Sequence, residues 1–173
     1  AFGVDVRLLP AGEIFPALER GVIDAAEFVG PFLDRQLGLH RVAKTYHTTG
    51  WHEPATASEL IINKAAWNRL PNDLKAIVEN AVAACNVISE AWCQKNNADA
   101  MEDLIRNHGV EARPLPPEVV ARLRAETNRV LEEAVARDPV TRRVHESYMA
   151  YKARFDAWSE YSEAPYHAQI RRG

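Results

Sequence analysis

Gly12-Glu13-Ile14-Phe15-Pro16-Ala17-Leu18-Glu19-Arg20-Gly21-Val22-Ile23-Asp24-Ala25-Ala26-Glu27-Phe28-Val29-Gly30-Pro31 is the stretch on which the reading of this chain turns. It divides into a short helix, a glycine stop, a strand and an acidic-aromatic pair. Glu13 opens the helix, whose spacing buries Ile14, Ala17 and Leu18, with Pro16 tolerated in the first turn. Gly21 follows Arg20 as the C-terminal stop. Val22 to Val29 runs as an apolar strand interrupted by Asp24 and Glu27. Open α/β sheets place ligands at strand ends of this kind, so Glu27 and Phe28 become site candidates. Read locally, the same pair is a solvent-facing carboxylate beside a core aromatic.

Outward from this stretch, the composition sets bounds. The chain has 173 residues, 47% of them hydrophobic, and a formal net charge of −3. That length carries one domain with a real core. Basic residues are dispersed among acidic ones, which argues against a nucleic-acid surface. No apolar run approaches the length of a membrane span. Cys85 and Cys93 fall on one predicted helix, about 12 Å apart along its axis. A disulfide across that distance is not feasible. They read as buried small apolar residues, with a redox or metal role as the alternative.

Val4–Leu9 reads as a strand. With the helix Glu13–Arg20 and the strand Val22–Phe28 it makes a strand-helix-strand unit, expected to pair in parallel. A short helix follows at Phe32–Leu39, then strands at Arg41–Thr48 and Glu59–Asn63, with Gly50–Pro54 as a loop between them. One or two helical turns cover Lys64–Leu70. A long helix starts at Pro71 and ends before Gly109, spanning about 71–108. Leu74, Ile77, Val78, Val82, Cys85, Ile88, Trp92, Met101, Leu104 and Ile105 keep helical spacing along it. At 1.5 Å per residue it measures on the order of 50 Å, so it either straddles two lobes or forms an oligomer face. Val110–Leu115 is a strand. A C-terminal helical region covers about 117–162, broken at Asp138-Pro139 by a cap and a first-turn proline. Tyr148, Tyr151, Phe155, Trp158 and Tyr161 form a stripe that reads as packing of the last helix onto the rest of the protein, or as a partner surface. The tail after Pro165 is expected to fray. Arg142-Arg143 and Arg171-Arg172 read as solvated charges.

The sequence offers no catalytic residues. Its six histidines are scattered, without His-x-x-x-His or Cys-x-x-Cys spacing. There is no Gly-x-Ser-x-Gly elbow and no glycine-rich phosphate loop. His52 beside Glu53 is the one base-acid neighbour pair of interest, and without a nucleophile it does not make an enzyme.

The segment Ala17-Leu18-Glu19-Arg20-Gly21-Val22-Ile23-Asp24-Ala25-Ala26-Glu27-Phe28-Val29-Gly30-Pro31 resembles the core motif of DctP-type solute-binding proteins of tripartite ATP-independent periplasmic (TRAP) transporters. It is closest to the branch that binds 2-oxo or 2-hydroxy monocarboxylates. The resemblance continues through Gly50-Trp51-His52-Glu53-Pro54 and from Ser58 to Leu70, and is weaker to the C-terminus. It implies an α/β chain forming the C-terminal half of a two-lobed periplasmic binding fold, with a long helix spanning both lobes; residues 1–173 would contribute parts of both. It places Ala1 well inside such a protein, beyond the segment carrying the arginine that pairs with the ligand carboxylate. Arg7 does not take that role.

In that branch the acidic residue at Glu27 and the backbone carbonyl at Phe28, where Trp is usual, hold a metal ion. Carboxylate and carbonyl oxygens suit Na⁺ or Ca²⁺. The resemblance makes Glu53 a further metal ligand or a neighbour of one, and Trp51 an apolar lid, with plain packing as the alternative. Glu27, Phe28, Trp51 and Glu53 would thus bind substrate. The implied function is a periplasmic, non-enzymatic receptor for a small organic acid. Its partners would be the TRAP permease subunits and the N-terminal half of the same protein, with a homodimer possible. The rival reading is a helical, oligomeric interaction module that keeps part of the fold and has lost ligand binding.

Overall fold

The computed structural model describes residues 3–48, 50–53, 56 and 58–170. Pro54 and the Arg171-Arg172 pair lie outside them. The described residues form two compact units, 3–115 and 116–170.

In the first unit, helix α1 spans Ala11–Glu19. It starts before Glu13, so Pro16 lies in its interior and not in its first turn as the sequence reading had it. Ile14 and Ala17 are buried, and Leu18 is half-buried. Gly21, at φ +67°, ends the helix as expected. Its N–H donates to Leu18 O at 3.1 Å, and the Val22 N–H to Ala17 O at 2.9 Å. These are the paired bonds of a Schellman stop, which needs a residue that accepts positive φ. Phe15 carries the Arg41 guanidinium 5.2 Å above its ring, which ties α1 to the 3₁₀ turn Leu39–Arg41.

Helix α2 is Pro31–Gln36, with Pro31 in the first turn, shorter than the Phe32–Leu39 expected. It packs on α4, the helix Asn72–His108. Phe32 and Trp92 meet edge to face with centroids 5.0 Å apart. Arg35 pairs with Asp103 at 2.9 Å. The Phe32 N–H, an open donor at the start of α2, donates to Asn97 Oδ1 at 3.1 Å. Between them, α3 covers Lys64–Arg69, capped by Asn63, whose Oδ1 accepts from Ala66 N at 3.0 Å.

The sheet is smaller than the sequence suggests. Strand β1, Thr45–His47, pairs in parallel with β2, Glu111–Arg113, in the register Thr45↔Glu111, Tyr46↔Ala112 and His47↔Arg113. Among the described residues the other expected strands, Val4–Leu9, Val22–Phe28 and Glu59–Asn63, are unpaired, and the first two do not join in a parallel unit. Alternation reports a side chain's fitness for a sheet. The ladder itself needs a neighbouring backbone, and none of these segments has one here. Most of their large apolar side chains stand in solvent, Leu8 to 99%, while Leu9, Ile23 and Phe28 are half-buried.

The core lies at the C-terminal end of α4 and under α1. Ile14, Ala17, Ala100, Leu104 and Val110 are buried, and Asp34 is the one buried charged residue among those described. Gly109, at φ +65°, stops α4 where predicted. From Glu79 to Lys95 every α4 side chain is exposed. Cys85 and Cys93 are therefore free and exposed, not buried. Helical spacing selected the right element, but apart from the edge of Phe32 on Trp92 these middle turns are left uncovered in this unit.

In the second unit, α5 (Pro117–Arg137) and α6 (Pro139–Ser159) pack on each other. Asp138 caps α6 as expected: its Oδ2 accepts from Thr141 N at 2.6 Å. Tyr148, Tyr151, Phe155, Trp158 and Tyr161 are exposed, so the packing expected of this stripe is not made within the unit. After α6 come a helical turn at Glu163–Pro165 and a π-helical turn at Tyr166–Ile170 in place of the frayed tail. No helix among the described residues is long and apolar enough to cross a membrane.

Candidate functional site

The segment from Asp24 to Gly30 runs between the Gly21 stop and the first turn of α2. Asp34, four residues into α2, reaches back over it. Its Oδ1 accepts from Val29 N at 3.3 Å and from Gly30 N at 3.2 Å. Its Oδ2 accepts from the Tyr46 hydroxyl at 2.6 Å. Asp34 is 8% exposed, and three donors offset the cost of burying its carboxylate. Tyr46 is placed by β1. Burial, reinforced by the bond to Asp34, pushes its phenol well above the ordinary value. The negative charges of Asp34 and Glu27 act in the same direction.

Glu27 points into solvent, its side chain 67% exposed, with His52 Nε2 3.9 Å from its Oε2. His52 lies against the Trp51 ring at a centroid distance of 4.9 Å. The loop that follows β1 is thus brought to the end of the Glu27 segment. Thr48 N–H, donating to Arg113 O at 3.1 Å, extends the sheet toward that loop. Trp51 is 44% exposed. Phe28 is half-buried, and its carbonyl accepts no hydrogen bond from another described residue. Glu53 is exposed and has no hydrogen bond or ion pair with another described residue.

The structure therefore brings Glu27, His52 and Trp51 together. Glu53 is not seen to join them, and no group of three or more His, Cys, Asp or Glu side chains among the described residues is placed to hold a metal. An exposed carboxylate and a carbonyl without a hydrogen bond are nonetheless the oxygen donors a hard cation takes. Sequence reading set His52 aside and overlooked Asp34 and Tyr46. Asp34 left a signal: an acid just inside a helix begun by Gly30-Pro31 is placed to accept from the preceding backbone donors.

A family model, "Bacterial extracellular solute-binding protein, family 7" (DctP), matches residues 1–138. The chain belongs to this DctP family. It is 34% identical over 164 residues to a monocarboxylate 2-oxoacid-binding periplasmic protein of Nostoc sp., covering 95% of this chain and 45% of the relative. A TRAP periplasmic solute-binding protein of Colwellia psychrerythraea, solved with calcium and pyruvate, superposes with a TM-score of 0.88 at 34% identity, over 97% of this chain and 51% of that one. One from Pseudoalteromonas atlantica, with sodium and pyruvate, gives a TM-score of 0.83 at 32% identity, over 94% and 49%. One from Bordetella bronchiseptica, a mixed-occupancy dimer with calcium and picolinate in its active site, gives 0.82 at 28%, over 91% and 46%.

The chain spans about half the length of these relatives. Its fold is correspondingly about half of a TRAP periplasmic binding protein, as the resemblance implied, with most of its residues helical and a small parallel sheet. The DctP family is one of solute receptors.

Proposed function

We propose that this chain is part of a periplasmic receptor that binds a small 2-oxo or 2-hydroxy monocarboxylate together with Na⁺ or Ca²⁺ and delivers it to a TRAP permease without chemical change. The observation that carries this is the meeting of the Glu27–Phe28 segment with the Trp51–His52 loop, 3.9 Å apart at Glu27 and His52. It occurs in a chain whose relatives hold pyruvate with calcium or sodium. Glu27 and the Phe28 carbonyl are the proposed metal ligands. Glu53, one residue from His52, joins them when the loop closes, and Trp51 covers the apolar side of the acid. The cation supplies positive charge that offsets repulsion between these carboxylates and the ligand.

Residues 1–173 form the C-terminal portion of this receptor and contribute to both lobes. The N-terminal half of the same protein supplies the arginine for the ligand carboxylate. It also supplies backbone partners for the unpaired strand sequences. A second copy of the receptor is a further partner for the exposed apolar residues of α4 and α6.

The test is thermal unfolding of the intact receptor with pyruvate and other 2-oxo acids, with and without calcium or sodium. A ligand that binds only the folded state at 1,000 times its Kd adds about 4 kcal/mol. A metal-dependent rise with 2-oxo acids that Glu27→Gln abolishes is the expected result. An unchanged response in Glu27→Gln would refute the site, and a flat response of the intact receptor would refute the function.

A further inference from the structure

The Asp34 carboxylate does more than satisfy itself. Its Oδ1 holds two consecutive backbone donors, Val29 N at 3.3 Å and Gly30 N at 3.2 Å. Its other oxygen is fixed by the Tyr46 hydroxyl at 2.6 Å, so the carboxylate is anchored at both ends. A peptide unit is planar, and in the trans form its C=O and N–H point in opposite directions. Described residues contain no cis peptide. The Val29 N–H belongs to the same plane as the Phe28 C=O. Drawing that N–H toward Asp34 therefore turns the Phe28 carbonyl the opposite way, away from the buried side of α2. The same short segment would otherwise be loose, because Val22–Phe28 has no ladder among the described residues. Asn97 of α4, accepting from Phe32 N at 3.1 Å, fixes the far end of the turn.

We infer that Asp34 is a positioning residue for cation binding: with Tyr46 behind it, it sets the direction in which the Phe28 carbonyl is offered to the metal. The inference rests on the reading of Glu27 and the Phe28 carbonyl as metal ligands. Asp34 itself contacts neither metal nor acid. Its negative charge is secondary to its geometry, so an amide in the same place keeps most of the effect.

The experiment titrates the intact receptor with calcium, alone and with pyruvate, in four variants: Asp34→Ala, Asp34→Asn, Tyr46→Phe and Glu27→Gln. Melting of the calcium-free protein is followed in parallel. Removing a group that orients a metal ligand typically lowers affinity about 10- to 100-fold, and that is the loss expected in Asp34→Ala. Asp34→Asn, whose amide oxygen still accepts from Val29 and Gly30, restores most of it. A merely structural Asp34 would lower the melting temperature of the calcium-free protein and leave calcium affinity unchanged, which overturns the inference. If Asp34→Ala does not fold, Tyr46→Phe decides. It releases one carboxylate oxygen, weakened calcium binding supports the role, and unchanged affinity overturns it. Loss of calcium binding in Glu27→Gln beside full affinity in Asp34→Ala removes the role of Asp34 and leaves the site standing. Full affinity in Glu27→Gln removes the site and this inference with it.

Discussion

Tyr46→Phe isolates one hydrogen bond in the interior of this chain. The ring is kept and only the hydroxyl is deleted, so packing around β1 changes little. What is lost is a 2.6 Å bond to Asp34 Oδ2. The acceptor is 8% exposed, so water cannot easily replace the donor. Hydrogen bonds to charged groups contribute about 1.5–3 kcal/mol, and a stranded buried acceptor costs a similar amount. Oδ1 keeps its bonds to Val29 and Gly30, so the carboxylate is weakened and not abandoned. The expected destabilisation is about 2 kcal/mol, read from urea midpoints of the intact receptor at unchanged m.

The pH dependence supplies an independent signature. Burial and the Asp34 bond raise the Tyr46 pKa in the fold above its ordinary 10.0. The unfolded chain therefore releases the phenolic proton first as pH rises. This contribution is fully present below pH 10.0 and drains away above it. Parent and Tyr46→Phe should accordingly converge in stability as pH rises beyond that point. A destabilisation under about 0.5 kcal/mol, the usual scatter of neutral substitutions, or a gap that widens with alkali would refute the reasoning.

Two further outcomes follow from the same core. Leu104, 2% exposed, should cost about 2–5 kcal/mol as Leu104→Ala, whereas its half-exposed neighbour as Ile105→Ala should cost about 1 kcal/mol. Equal costs in urea unfolding would show that the core lies elsewhere. His40 has a buried Nδ1 with no partner among the described residues. Its pKa is held below the ordinary 6.5, chiefly by burial, then by His108, Lys44 and Arg41, with Asp103 opposing. The unfolded state takes up this proton first, so stability should fall as pH drops below 6.5. A His40→Gln variant should lose that component of the acid limb, and an identical limb in the variant would exclude the histidine as its source.

Helices were legible in the sequence because their signals are local. Pro117 in a first turn, Asp138 at a cap, and Gly21 and Gly109 beyond helix ends each act within a few residues. Strands were legible only as candidates. Thr45–His47 and Glu111–Arg113 found each other, while a more apolar segment such as Glu59–Asn63 has no neighbour among the described residues. Burial on α4 was misjudged for the same reason: periodicity names a face, and a second surface must cover it. At the site, Glu27 and Phe28 stood out because a strand-like run ends there. Asp34 did not, since its importance lies in folding back on the two amides that precede its helix. His52 was visible only as a neighbour of Glu53, and its approach to Glu27 depends on a sheet that joins distant parts of the chain.

That sheet has a consequence for the order in which the first unit assembles. Its strands are consecutive in space yet are separated in the chain by the whole of α3 and α4. Parallel pairing across so long a connection closes a large loop before it gains any contact, which makes it a slow event. The helices, which need only their own residues, can form first and bring the two ends within reach. Tyr46 becomes available to Asp34 only when β1 is in place. The Val29–Gly30 turn therefore acquires its anchor among the last contacts of the fold, and the Glu27 segment that leads into it takes its final form late in folding.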